Sequence, residues 1–283
     1  MIVMAKPSES RGFAHHDHGR SPQGRRVDAY IPPVAFNVSS DAYARFMGRY
    51  SEPLAAKFAD LAGVHSGQRA LDVGCGPGAL TAQLVERLGT EAVSAVDPSP
   101  PFVAAVRARF PEIDARSAVA EELPFPDDTF HLALAQLVVH FMADPVAGLR
   151  EMGRVTRPGG TIAACVWDHA EGPVSTFWRA ARELDPTVRD ESELAGAREG
   201  HLAVLCTAAG LTDVESASLT VEARFDTFGE WWGPYTLGVG PAGDLVGQLD
   251  DARREALRTR CAELLPPVPF TITASAWCAR ARS

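Results

Sequence analysis

The chain has 283 residues, 46% of them hydrophobic and 22% charged, which suits one large core with accessory helices and excludes general disorder. A formal charge of −9 with no long basic run disfavours nucleic acid as a partner, because a field of that sign repels phosphates. Five scattered cysteines without a CxxC pair argue against a disulfide framework and a zinc site. With no signal-peptide core and no run near the roughly 20 apolar residues of a membrane span, a cytoplasmic protein is expected.

Residues 1–33 are polar and rich in Gly, Pro, Arg and Ser, the composition of a disordered tail. His15, His16 and His18 lie in it without the fixed geometry a metal site needs, and no metal is expected. At 34–66, Tyr43, Phe46, Met47, Tyr50, Leu54, Phe58 and Leu61 recur at helical spacing and predict two short lid helices, Pro53 opening the second. From 67 to 225 strands and helices alternate. Strands are predicted at Arg69–Val73, Ala92–Val96, Ala115–Val119, Phe130–Ala135, Thr161–Trp167 and Val214–Phe225. Helices are predicted at Ala79–Leu88, Pro101–Phe110 and His201–Ala209, and on the face of Val146, Leu149, Met152 and Val155, this last stopped by a turn at Arg157–Gly160. Such alternation is the pattern of an α/β, doubly wound, mostly parallel sheet. Residues 226–267 form a cap insertion with a polar helix at about 249–264, and 268–283 return as a final strand. The two long late strands lack a crossover between them, so they are expected to pair antiparallel at one sheet edge.

Chemistry concentrates in Leu71-Asp72-Val73-Gly74-Cys75-Gly76-Pro77-Gly78, where a strand gives way to a helix. Glycines there let the backbone approach a ligand closely. Asp97 ends the next strand, in position for a carboxylate to accept both hydroxyls of a ribose in the crevice at the strands' carboxyl ends. The spacing is G-x-G-x-G with Pro77 inside it, against the G-x-G-x-x-G of a dinucleotide site. Asp72 just before the loop opposes a diphosphate and suits the cationic amino end of S-adenosylmethionine.

With VDPS, AEELPFPDDTF and MGRVTRPGGTIAACVWD, this LDVGCGPG block resembles the class I S-adenosylmethionine-dependent methyltransferases, in the small-molecule branch that includes quinone-biosynthesis enzymes. The resemblance covers about residues 40–170 and implies a seven-stranded Rossmann-like sheet. It implies that Gly74, Gly76 and Gly78 wrap the methionine part of the cofactor, that Asp72 anchors its amino group and that Asp97 holds the ribose. Pro98 and Ser99 are then beside the adenine, Ala120 and Glu121 along its edge, and Gln136 at the methionine end. Val119 stands where many members carry an acid, and His131 where the usual residue is Asp. Tyr43, Arg49 and Tyr50 resemble lid residues, with Arg49 paired to the cofactor carboxylate.

Methyl transfer from a sulfonium is an in-line displacement helped mainly by positioning, with a base needed only for some acceptors. His140, after the fourth strand, is the candidate base or orienting group. Trp231, Trp232 and Tyr235 in the cap, with Tyr43 and Tyr50, are the expected walls of an acceptor pocket for a small aromatic or hydrophobic metabolite methylated on O, N or C. An assembly no larger than a homodimer is expected. Two other readings stay open at this point: a nicotinamide-dependent oxidoreductase, and a non-catalytic adenosyl-ligand-binding protein.

Overall fold

The structure, a computed structural model, describes residues 40–283. The tail expected at 1–33 lies outside them. The chain enters as helix α1 (Ser40–Tyr43), passes through a wide π turn (Ala44–Gly48) and continues as α2 (Arg49–Ala62). Pro53 therefore sits inside α2 and does not open a second helix. Its missing N–H leaves the Arg49 carbonyl without a helical donor, directly after the π turn. Leu54, Ala55, Phe58, Ala59 and Ala62 form the buried face of α2.

The alternation then follows in order: β1 (Ala70–Val73), α3 (Ala79–Leu88), β2 (Val93–Asp97), α4 (Pro100–Arg109), β3 (Asp114–Ser117), β4 (Phe130–Gln136), α5 (Pro145–Val155) and β5 (Thr156–Trp167). β1 and β2 are buried at every residue, as expected of parallel strands covered on both faces. β5 begins earlier than the expected Thr161. Arg157–Gly160 lies within it as a bulge, pairing passing from Phe130↔Thr156 to Leu132↔Thr161. Helices α6 (Ser175–Leu184) and α7 (His201–Ala208) lead to β6 (Thr212–Phe225). Then come α8 (Phe228–Trp232), α9 (Gly240–Gln248), α10 (Asp251–Leu264) and β7 (Phe270–Arg282).

The seven strands order as β3-β2-β1-β4-β5-β7-β6. β7 inserts between β5 and β6 and runs antiparallel to both, while the other pairings are parallel. Strand order reverses between β1 and β4, so a crevice opens at their carboxyl ends. The residues that follow β1, β2, β4 and β5 are thereby delivered to one edge of the sheet.

Candidate active site

The glycine loop links β1 to α3. Gly74 and Cys75 donate their amides to the Val96 carbonyl (2.8 and 2.9 Å), which pins the loop to the end of β2. A Cβ on Gly74 would lie 2.4 Å from a Val138 methyl carbon, so this glycine is required by packing under the loop. Gly76 has φ +52°, and a Cβ there would meet no protein atom within 4 Å. Its bare α-carbon faces open crevice, the condition for backbone to touch a ligand. The Gly76 amide donates to Asp97 Oδ2 (2.9 Å) and the Ser99 amide to Asp97 Oδ1 (2.8 Å). Burial pushes the Asp97 carboxyl up, and these two amides pull against that shift. Each oxygen keeps a second lone pair for an outside donor.

The crevice is a cavity of about 490 Å³ lined by Gly74, Gly76, Asp97, Pro98, Ser99, Ala120, Glu121, Gln136 and Tyr43, with Phe102, Leu137, Phe141 and Met142 as apolar walls. Gln136 Nε2 donates to the Ser51 carbonyl (3.0 Å), while its Oε1 is buried with no partner among the described residues. A buried acceptor left unpaired is costly, and here it belongs to a residue on the crevice wall. Glu121 also accepts from the Asp144 amide (3.0 Å). Asp72 and Gly78 lie behind the loop and do not line the cavity. Asp72 is 1% exposed, accepts from Thr81 Oγ1 (2.6 Å), and has no cationic partner among the described residues. Burial pushes its carboxyl up to about 7.

A second, smaller cavity of about 70 Å³ adjoins the first, sharing Tyr43, Leu137 and Phe141 with it. Leu137 has φ +62°, an uncommon left-handed conformation for a branched residue, held by its amide bond to the Cys165 carbonyl (2.8 Å). Burial and the Asp97 carboxylate push the Tyr43 phenol up to about 12. His140 lines the small cavity, and burial lowers its pKa to about 3, so the ring stays neutral near neutral pH. Around it stand Trp167, Asp168 and His169 from the end of β5, Glu191, and the Val239–Ala242 segment. Among the described residues no group of three or more His, Cys, Asp or Glu is placed to hold a metal ion, and no helix is long and apolar enough to cross a membrane.

Five expected site residues lie elsewhere. Arg49 is drawn to the end of β6, where Nη1 donates to the Arg224 carbonyl (2.9 Å), pairs with Glu230 (3.5 Å), and sits 4.9 Å from the centre of the Phe225 ring. It lines neither cavity. Tyr50 is buried edge-on against Trp167 (6.2 Å) and also lines neither. Trp231, Trp232 and Tyr235 are 3%, 6% and 3% exposed. Tyr235 stacks on Phe177 at 4.6 Å and meets Trp231 at 4.9 Å. These three rings are core, packed in one buried cluster with Phe46 and Phe177.

Residues 71–164 match the family described as Methyltransferase domain. An uncharacterized methyltransferase of Mycobacterium tuberculosis is 38% identical over 135 residues, 48% of this chain and 52% of that protein, so the chain spans about half the length of that relative. An uncharacterized protein of the same organism is 30% identical over 226 residues, 74% of this chain and 81% of its own. A demethylmenaquinone methyltransferase of Chlorobaculum parvum is 37% identical over 90 residues, covering 32% of this chain and 37% of that enzyme. The chain belongs to the class I S-adenosylmethionine-dependent methyltransferases. Solved structures agree on the fold of this methyltransferase: the YcgJ protein of Bacillus subtilis superposes with TM-score 0.53 at 18% identity, over 83% of this chain and 98% of that one. A phosphoethanolamine N-methyltransferase of Haemonchus contortus superposes with TM-score 0.54 at 14% identity, over 86% of this chain and 56% of that one.

Trp167, Asp168, His169 and Glu191 also line the smaller cavity; the first two close the MGRVTRPGGTIAACVWD block without having been assigned a role, and the last two lie outside the quoted motifs. One signal was available for the first three. They close or directly follow a central strand at its carboxyl end, where open α/β sheets place their ligands.

Proposed function

We propose that this methyltransferase transfers the methyl group of S-adenosylmethionine to an O, N or C atom of a small aromatic or hydrophobic metabolite. The observation that carries the reading is the open space at Gly76 beside the Asp97 carboxylate, whose oxygens each retain a lone pair. In this reading Asp97 accepts from the ribose hydroxyls, and Gly74 and Gly76 let the backbone run against the methionine part. Pro98, Ser99, Ala120 and Glu121 border the adenine. Gln136 Oε1, otherwise unpaired, accepts from the cationic amino group, and Asp72 adds negative field from behind the loop. When bound, S-adenosylmethionine supplies an electrophilic methyl group on a sulfonium.

The acceptor occupies the smaller cavity, under the lid helices and the cap, with Tyr43, Leu137 and Phe141 between it and the cofactor. His140, kept neutral by burial, orients the acceptor by hydrogen bonding. Positioning the nucleophile in line with the methyl supplies most of the acceleration, and the apolar walls exclude water. Crystals grown with S-adenosylhomocysteine, together with transfer of a labelled methyl group to candidate acceptors, test the proposal. Adenosyl density in the crevice is the expected result. Density elsewhere would overturn it.

A further inference from the structure

Six buried side-chain nitrogen or oxygen atoms lack a hydrogen-bond partner among the described residues. Three belong to residues lining the smaller cavity: Nδ1 of His140, Nε1 of Trp167 and Nδ1 of His169. Buried polar atoms are nearly always paired, so this clustering marks a place where a ligand supplies the missing partners. His169 differs from His140 in having its other ring nitrogen engaged: Nε2 lies 3.2 Å from Asp190 Oδ2. Burial pushes the Asp190 carboxyl up, but hydrogen bonds from Ser192 and Arg182 outweigh it and hold the group down to about 2, so it stays ionised. An ionised carboxylate at Nε2 fixes the proton there and leaves Nδ1 as a bare lone pair.

Resting on the methyltransferase reading, we propose that the acceptor is a neutral hydroxyl-bearing ring and that His169, held by Asp190, takes the hydroxyl proton. The two orphaned groups of fixed role decide the class. Trp167 Nε1 only donates, and His169 Nδ1 in this tautomer only accepts. A hydroxyl satisfies both at once, whereas an ammonium offers nothing to the indole N–H. The lining contains Asp168 and Glu191 and no Lys or Arg, which disfavours an anionic acceptor. As the acceptor oxygen bonds to the methyl carbon, the C–S electron pair stays with sulfur. The hydroxyl proton passes to Nδ1 of His169, giving an imidazolium that faces Asp190.

The test is calorimetric titration of the full chain, saturated with S-adenosylhomocysteine, using catechol and 2-phenylethylamine as probes. Catechol is expected to bind the wild type. His169→Phe keeps a ring of similar shape but loses the acceptor, with Asp190 still held by Arg182, and should weaken catechol about tenfold. Trp167→Phe should weaken it about fivefold, each variant holding S-adenosylhomocysteine within twofold. Nitrogen NMR of the labelled chain should show the Nε2–H tautomer of His169, lost in Asp190→Asn. Unchanged catechol affinity in His169→Phe, preference for the amine, or no catechol binding by the wild type would each overturn the assignment. Failure of S-adenosylhomocysteine itself to bind would count against the cofactor reading instead, and catechol titration of the free chain then decides on the dyad.

Discussion

Asp72 is a carboxylate buried without a cation, so Asp72→Asn should stabilise the free protein in a pH-dependent way. Its pKa rises from 3.8 to about 7 on folding. Between those values the folded state holds the proton more tightly than the unfolded chain does. Stability therefore falls as pH rises through this window and reaches its full penalty above the folded value. At about 1.4 kcal/mol per unit, the penalty is roughly 2 kcal/mol near pH 5 and about 4 kcal/mol near pH 8. Asn still accepts from Thr81 and carries no charge, so any cost of its amide is the same at both pH values. Urea unfolding should show the variant gaining about 2–3 kcal/mol on the wild type between these conditions. Parallel stability profiles for the two proteins would refute the reasoning. The same substitution should weaken S-adenosylmethionine, since the field favouring its amino group is gone.

Gly76→Val should abolish cofactor binding, since the new methyls project into open crevice, and cost about 1–3 kcal/mol of stability, since a β-branched residue is strained at φ +52°; normal binding by the folded variant in a calorimeter would show that the loop is not the site. Trp232→Ala should destabilise the protein by about 3–5 kcal/mol in chemical unfolding, the cost of emptying a core aromatic site. A loss below 1 kcal/mol would return this tryptophan to the list of pocket residues.

That Gly74, Gly76 and Asp97 share one crevice was legible because its determinants are local. Gly74, Gly76 and Asp97 sit at strand ends, and the G-x-G-x-G spacing with the preceding Asp72 argues against a dinucleotide turn. The parallel, doubly wound sheet followed from the alternation of strands and helices, and the antiparallel β6–β7 pair from the lack of a crossover between them. The acceptor side was not legible, for two physical reasons. An aromatic residue contributes the same composition whether it walls a pocket or fills a core, and here Trp232 and Tyr235 pack on Phe177 and Trp231 on Tyr235. Arg49 likewise answers to Glu230 and Phe225, residues more than 170 positions away, which no local pattern reveals. His169 and Asp190 become a pair only when the connection after β5 folds back, so neither carried a motif.

The account stands most directly on one titration: S-adenosylhomocysteine into the wild type and Asp97→Ala, with NAD as comparator. It predicts one adenosyl ligand per chain, no NAD binding, and at least a tenfold loss in the variant, as expected for a charge-assisted hydrogen bond worth about 1.5–3 kcal/mol. Equal affinity in a folded Asp97→Ala, or tighter binding of NAD, would contradict it.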